Sequence, residues 1–371
     1  MRVLITYASA GAGHFKAAEA IYDYLNKRCG DIDIKLVDIL DKTNPFFKFT
    51  YTFGYWLLVS RAPIAWRIAY WFTELKALRF FTGRAARIMN RINSRKFIRF
   101  LIQYNPDFII STHFLSSEIS CLVKRARKIK SELVTVITDF AVHPFWVSTG
   151  TDKYIVATAI TKNQLVKHGV EENIIIDSGI PVHPKFLQQL ERKELCRKLG
   201  ISENKFTVLI ATGSFGIGPI EEIIKSLYQE VQILVVCANN KKLYKKLKAS
   251  AYPDVWVFGF VDNMQELMSV SELIITKPGG LTISEILIRE LVPLFVWAIP
   301  GQEAGNVEVL KQYAIGLSLK STSQIKKKVL EFKNNPNQAS IIKNNIKKIK
   351  KVNCLEEICN VICQSSSGPA C

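Results

Sequence analysis

The sequence predicts an α/β protein of two domains, each a parallel sheet covered by helices on both faces. Three observations carry this. Short apolar runs alternate with longer amphipathic stretches along most of the chain. That rhythm stops at Gly179-Ile180-Pro181-Val182-His183-Pro184 and restarts with a fresh apolar run at Phe206. The length of 371 residues fits two domains of about 100–200 residues each.

The expected strands of the first domain are residues 3–7, 34–37, 108–111, 133–138 and 154–157. Those of the second are 206–211, 232–237, 255–258, 273–276 and 293–297. Each is a short run rich in Val, Ile, Leu and Phe, as strands buried on both faces require. Two prolines and a glycine end the first series, and the charged stretch 191–199 leads into the second. The domains are therefore expected at 1–188 and 189–345, with a C-terminal helix and flexible tail at 346–371. Ligands of such sheets bind beyond the carboxyl ends of the strands, in this case in a cleft between the domains.

Composition excludes several classes. At 48% hydrophobic and 22% charged residues, the chain is neither disordered nor fibrous. The first residues read as a strand and not as a charged leader. No apolar run reaches the length of about 18 residues that a spanning helix needs. Eight cysteines without a CxxC pair fit ordinary reduced thiols better than a disulfide framework or a zinc site. The net charge of +18 favours polyanionic partners: anionic lipid, nucleotides or nucleic acid.

Much of that charge sits beside an aromatic segment. Residues 45–82 hold thirteen aromatics, among them Trp56, Trp66 and Trp71. Arg84, Arg87, Arg91 and Arg95 then fall on one stripe of a helix. Aromatics at headgroup depth with arginines on lipid phosphates make a peripheral membrane surface. Two other readings compete: a helical insertion packed on its own domain, and aromatic stacking on nucleic-acid bases. No RNA-binding signature accompanies the segment, which argues against nucleic acid as a partner.

The expected first strand runs into Ala8-Ser9-Ala10-Gly11-Ala12-Gly13-His14, with a helix following. Gly11 and Gly13 let backbone amides approach a ligand, and a helix start favours an anion. The spacing fits neither G-x-G-x-x-G nor a P-loop. His14 stands where the helix dipole disfavours imidazolium, so its ring stays neutral and basic, as a general base requires. A packed or capping histidine is the alternative. Asp139 is a second candidate, to orient His14 or to act as the base. His113 follows a strand and either lines an acceptor site or packs.

The second domain offers three loops at strand ends. Gly213, Ser214, Phe215 and Gly216 suit the approach of a diphosphate. Lys277, Gly279, Gly280, Leu281 and Thr282 open a helix, a second anion site. Glu285 then suits a ribose, unless Thr282-x-x-Glu285 is a capping box. Gln302, Glu303 and Asn306 lie in a loop whose polar groups suit sugar hydroxyls. Together these make a nucleotide-sugar site. Asp31-Ile32-Asp33 is formally D-x-D, but it stands before a strand of the first domain and reads as a surface turn.

Taken with the stretch Val136 to Phe140, His143, Trp146, Gly179 to Val182, Pro184 and Gly259-Phe260-Val261, these motifs resemble a known family across nearly the whole chain. They are similar to the monogalactosyldiacylglycerol synthases and processive diacylglycerol β-glucosyltransferases, of the GT-B fold and glycosyltransferase family 28. The resemblance implies inverting transfer of glucose or galactose from UDP-glucose or UDP-galactose to diacylglycerol. It places acceptor lipid and anionic membrane lipids on the N-terminal domain and the UDP-sugar on the C-terminal one, at the cytoplasmic face of the cell membrane. It also implies that Phe260 and Val261 clamp uracil, that Gly279 to Thr282 hold phosphates, and that Gln302 and Glu303 meet the hexose. No metal or other cofactor is expected, since amides and helix dipoles take the leaving charge. The chain departs from the family in Ala304-Gly305-Asn306 and in its mixed Ala/Gly first loop, so either hexose fits.

Two readings stand beside this one. The first is a glycosyltransferase with a polyprenyl-linked acceptor, as in lipid II synthesis. The second is a non-catalytic basic protein that binds membranes.

Overall fold

The structure is a computed structural model that describes residues 1–30, 32–61, 87–214, 216 and 218–364. Two compact units make up the chain. The first comprises Met1–Pro184, Ile299–Gly305 and Lys351–Cys371; the second comprises Lys185–Ala298 and Asn306–Lys350.

The first unit is built on a six-stranded sheet of β1 (Arg2–Tyr7), β2 (Asp33–Asp38), β3 (Phe108–Ser111), β4 (Glu132–Val136), β5 (Lys153–Ile155) and β6 (Ile175–Ile176). Its order is β2-β1-β3-β4-β5-β6, and every pairing is parallel. Alternate residues serve opposite faces, as the strand period of two dictates. Val3, Ile5, Ile110, Val134 and Val136 pack with the helix Ala12–Arg28 and with the C-terminal helix Cys354–Gln364. Leu4, Ile109 and Leu133 face Phe97, Leu101, Leu115 and Ile119 on the other side.

The second unit repeats the plan. Its strands are β7 (Thr207–Ala211), β8 (Gln232–Val236), β9 (Val255–Phe258), β10 (Leu273–Thr276), β11 (Val292–Val296) and β12 (Leu317–Leu319). They are parallel in the order β12-β11-β10-β7-β8-β9.

Each order reverses direction once. In the first sheet the chain steps from β1 outward to β2, then returns to β3 on the other side of β1. In the second it runs β7, β8, β9 and then returns to β10 beside β7. Within each sheet the loops on the two sides of its switch point run in opposite directions, which is where open parallel sheets take their ligands.

Several expectations are corrected. The short strands β6 and β12 were not foreseen, because two or three residues carry no periodicity. The tail is two helices, Pro336–Ile349 and Cys354–Gln364, parted at residues 350–353. Thr282 does not cap a helix: that helix begins at Gly280 with Gly279 as its N-cap, so Thr282 lies inside it. Among the described residues no two cysteines form a disulfide. Cys29 and Cys359 approach to 3.9 Å between sulfurs within the core.

Candidate functional site

In the first unit the candidate side chains gather where β1, β3 and β4 end. Gly11 is the N-cap of the helix Ala12–Arg28 and lends no side-chain bond of its own. His14 is the third residue of that helix and is half-buried. Its ring Nδ1 lies 2.9 Å from the Thr112 carbonyl oxygen and 2.8 Å from the Thr138 hydroxyl. The Thr112 hydroxyl also donates to the His14 carbonyl at 2.9 Å. Ring and main chain of His14 are thus held by the residue just after β3.

A carbonyl only accepts, so Nδ1 carries the hydrogen and the lone pair sits on Nε2. Burial pushes the His14 pKa below its ordinary value; the nearby Asp139 charge and the bond to Thr112 oppose this. The result is a neutral imidazole whose Nε2 can take a proton.

His113 is buried and has a different task. Its Nδ1 accepts from the Leu115 amide at 3.1 Å, capping the helix Phe114–Arg125. Its ring packs edge-on against His14, with centroids 4.6 Å apart. Burial first, and then His14, hold its pKa well below the ordinary value. His113 is thus both packed and a helix cap.

Asp139 is buried at 4% exposure, and both its carboxylate oxygens accept from the Gln302 amide, at 2.9 and 2.8 Å. Gln302 and Glu303 group with this first unit, not with the UDP-sugar domain in which they were expected. The Glu303 carboxylate accepts from the Ile299 amide at 2.7 Å, fixing the turn before the helix Gln302–Gln312.

In the second unit the loops after β7 and β10 flank the switch point. The Thr276 hydroxyl donates to the Ala211 carbonyl at 2.6 Å and ties the two strand ends together. The helix Gly280–Arg289 opens here with Gly279 as its N-cap and no side-chain cap bond. Gly279, Gly280, Leu281 and Thr282 form this start, with Lys277 half-buried before it and Glu285 in the second turn. Asn306 is fully buried and donates to the Pro278 carbonyl at 3.0 Å. Its amide nitrogen therefore braces the glycine turn.

Gly213, Ser214 and Gly216 follow β7; Phe215 lies outside the described residues. The Ser214 carbonyl accepts from the Asn239 amide, and the Gly216 carbonyl from the Asn240 side chain. A Cβ at Gly216 would stand 2.5 Å from the Cys237 carbonyl oxygen, and its φ is +53°, so this close turn requires glycine. Phe260, just past β9, is 68% exposed, with Val261 half-buried beside it. Such a solvent-facing ring is available for stacking.

The aromatic and basic segment is described in part. Trp66, Trp71 and Arg84 lie outside the described residues, as does the side chain of Trp56. The helix Pro45–Arg61 turns Phe47 into the core and Tyr51 toward His113, while Phe46, Phe49 and Phe53 are exposed. Residues 87–93 are helical and expose Ile88, Met89 and Ile92 beside exposed Arg87 and Arg91. A backbone bond from Asn44 to Asn93 joins the two stretches. Among the described residues no helix is long and apolar enough to cross a membrane.

Among the described residues there is no group of three or more side chains suited to hold a metal. Asp33 of the D-x-D triplet is exposed at the start of β2, and Asp31 lies outside the described residues. Sequence reasoning missed Thr112, Thr138, Thr276 and Thr212. The Thr212 hydroxyl is buried beyond β7 with no hydrogen-bond partner among the described residues. The one available signal was that each of these threonines ends or follows a strand.

The model of the family described as monogalactosyldiacylglycerol (MGDG) synthase matches residues 14–182, and that of the glycosyltransferase family 28 C-terminal domain matches 207–355. The chain is 32% identical over 347 residues to the chloroplastic monogalactosyldiacylglycerol synthase of Spinacia oleracea, covering 89% of this chain and 66% of the relative. It is 26% identical over 357 residues to the processive diacylglycerol beta-glucosyltransferase of Bacillus pumilus, covering 94% and 91%. The chain spans just under two thirds of the length of the first plant relatives it matches. Among solved structures, Acinetobacter baumannii MurG aligns with a TM-score of 0.62 at 15% identity, over 98% of this chain and 99% of that one. At that identity the likeness carries the fold, which is the GT-B fold of two Rossmann-like domains.

Proposed function

We propose that this chain, which belongs to the monogalactosyldiacylglycerol synthase and diacylglycerol glucosyltransferase family, is an inverting glycosyltransferase. It moves glucose or galactose from a UDP-sugar to the free hydroxyl of diacylglycerol. The observation that carries the reading is the 2.9 Å contact of His14 Nδ1 with the Thr112 carbonyl oxygen, which assigns the ring hydrogen to Nδ1 and leaves Nε2 as the base at the switch point.

Nε2 takes the proton of the acceptor hydroxyl. The oxygen's freed electron pair forms the bond to the anomeric carbon, and the bond from that carbon to the diphosphate breaks. Its electron pair leaves with UDP. Attack opposite the leaving group inverts the centre and gives a β-glycoside. General-base assistance of this kind supplies typically about 10²–10⁴-fold.

The departing diphosphate gains charge. The amides that open the helix Gly280–Arg289 offer positive potential there, with Lys277 beside them. The buried Thr212 hydroxyl is a further donor at the same switch point. Phe260 and Val261 stack on uracil, and Glu285 bonds the ribose. In this reading amides and dipole take the leaving charge without a metal, so transfer persists in chelator.

The acceptor is a membrane lipid, and the exposed phenylalanines and arginines of residues 46–53 and 87–92 are suited to meet it. The protein then works at the cytoplasmic face as a peripheral protein, attracted by anionic lipid.

The test is transfer of radiolabel from UDP-glucose, and separately UDP-galactose, to diacylglycerol in anionic liposomes with chelator. Label in the lipid phase supports the reading and names the hexose. No label from either donor, with UDP still bound, overturns diacylglycerol as acceptor and favours a polyprenyl-linked one. Neither label nor UDP binding leaves a membrane-binding protein without catalysis.

A further inference from the structure

We propose that Thr138 is a positioning residue for the reaction: its hydroxyl shares the Nδ1 hydrogen of His14 with the Thr112 carbonyl and so fixes Nε2 as the proton acceptor. The inference rests on the reading of His14 as the base.

The geometry is specific. Thr138 stands two residues past the end of β4 and is 4% exposed. Its Oγ1 is 2.8 Å from Nδ1, as close as the Thr112 carbonyl at 2.9 Å. Because the carbonyl can only accept, the single hydrogen on Nδ1 points to both oxygens in a three-centre bond. Thr138 therefore accepts as well. The ring is further confined by His113, edge-on at 4.6 Å, and by Trp146 at 6.2 Å between centroids.

Two acceptors on one N–H matter most after proton transfer. When Nε2 takes the acceptor proton, the ring becomes imidazolium and Nδ1–H becomes a charge-assisted donor. Thr138 then stabilises the charged ring together with the carboxylate of Asp139, against repulsion from His113 should that ring ever protonate. Buried catalytic histidines often lean on a carboxylate for this purpose. Here a carbonyl and a hydroxyl hold Nδ1, while Asp139 acts through its charge.

A hydrogen bond to a charged group is worth a factor of roughly 10–100 in an equilibrium. Thr138→Val should therefore lower kcat by about 10–100-fold with the KM for UDP-sugar nearly unchanged. The acid limb of the pH–rate profile should move to lower pH, because the imidazolium loses a partner. Thr138→Ser should restore both. If Thr138→Val keeps wild-type kcat and acid limb while His14→Ala is inactive, the inference fails and the base assignment stands. An equal loss in both variants with an unmoved acid limb also overturns it, since that is a packing defect.

A second measurement needs no turnover. ¹⁵N NMR reads which ring nitrogen of His14 is protonated in the neutral form, in the wild type and in Thr138→Val. An Nδ1–H tautomer in the wild type that gives way to a mixture in Thr138→Val supports the proposal even if no transfer is found. An Nε2–H tautomer in the wild type, or an Nδ1–H signal unmoved in Thr138→Val, overturns it.

Discussion

The amide of Gln302 donates to both carboxylate oxygens of Asp139, at 2.9 and 2.8 Å, across 163 residues of sequence. The carboxylate is thereby engaged as an acceptor, and its charge acts on His14 through space, making that ring more basic. In the proposed mechanism Asp139 serves the proton transfer by its charge, and His14 receives the proton. Replacing Asp139 with Asn should move the acid limb of kcat/KM to lower pH and cut the plateau by at least about tenfold. A pH–rate series on the two proteins checks both.

The His14 pKa is lowered from its ordinary value of 6.5, chiefly by burial. A base works unprotonated, so activity should rise with pH through a value below 6.5 and be flat above it. His14→Ala should lose about 10²–10⁴-fold in kcat and still bind UDP, as isothermal titration would show.

His113 bears on stability. Its folded-state pKa lies well below 6.5, so below that pH the unfolded chain binds a proton that the folded one refuses. Its contribution is intact above the unfolded value and is lost as pH falls toward the folded one. Asn at this position keeps a cap for Leu115 and does not titrate. Urea midpoints at about pH 7.5 and pH 5 should therefore fall less in His113→Asn than in the wild type.

Gly216→Ala forces a methyl group to within 2.5 Å of a backbone carbonyl at a left-handed turn. The loop after β7 must shift, at a cost of about 1–3 kcal/mol. UDP affinity should fall by at least about tenfold while far-UV circular dichroism is retained.

Phe46, Phe49 and Phe53 are exposed at 75%, 58% and 44%. Changing all three to Ser should abolish sedimentation with anionic vesicles and leave UDP binding intact. Since Phe46, Phe49 and Phe53 are not part of the core, the melting temperature should change little.

Much of the fold is legible in the sequence because buried parallel strands are near-continuous apolar runs. β3, β9 and β10 have the bounds read from composition alone. The glycine turns and His14 are legible for a related reason, since glycine before a helix signals close backbone approach. Thr138 is not legible: its partner lies 124 residues away, and a threonine ending a strand looks like any β-branched residue. Nor is the pairing of Gln302 with Asp139, which depends on residues 299–305 grouping with the first unit. Propensity and periodicity are local, and these contacts are set only by the path of the chain.

That path has a consequence for biogenesis. The helix Cys354–Gln364 supplies Leu355, Ile358 and Ile362 to the same core as Val3, Ile5 and Ile21. A ribosome extending the chain at about 5–20 residues per second makes β1 long before this helix. The N-terminal unit must wait, one face of its sheet covered only in part by the helix Ala12–Arg28, while the whole C-terminal unit is synthesised and free to fold. The chain thus inverts the usual order of co-translational folding, in which the N-terminal domain is completed first. Through that interval the exposed apolar strands are the natural substrate of a chaperone.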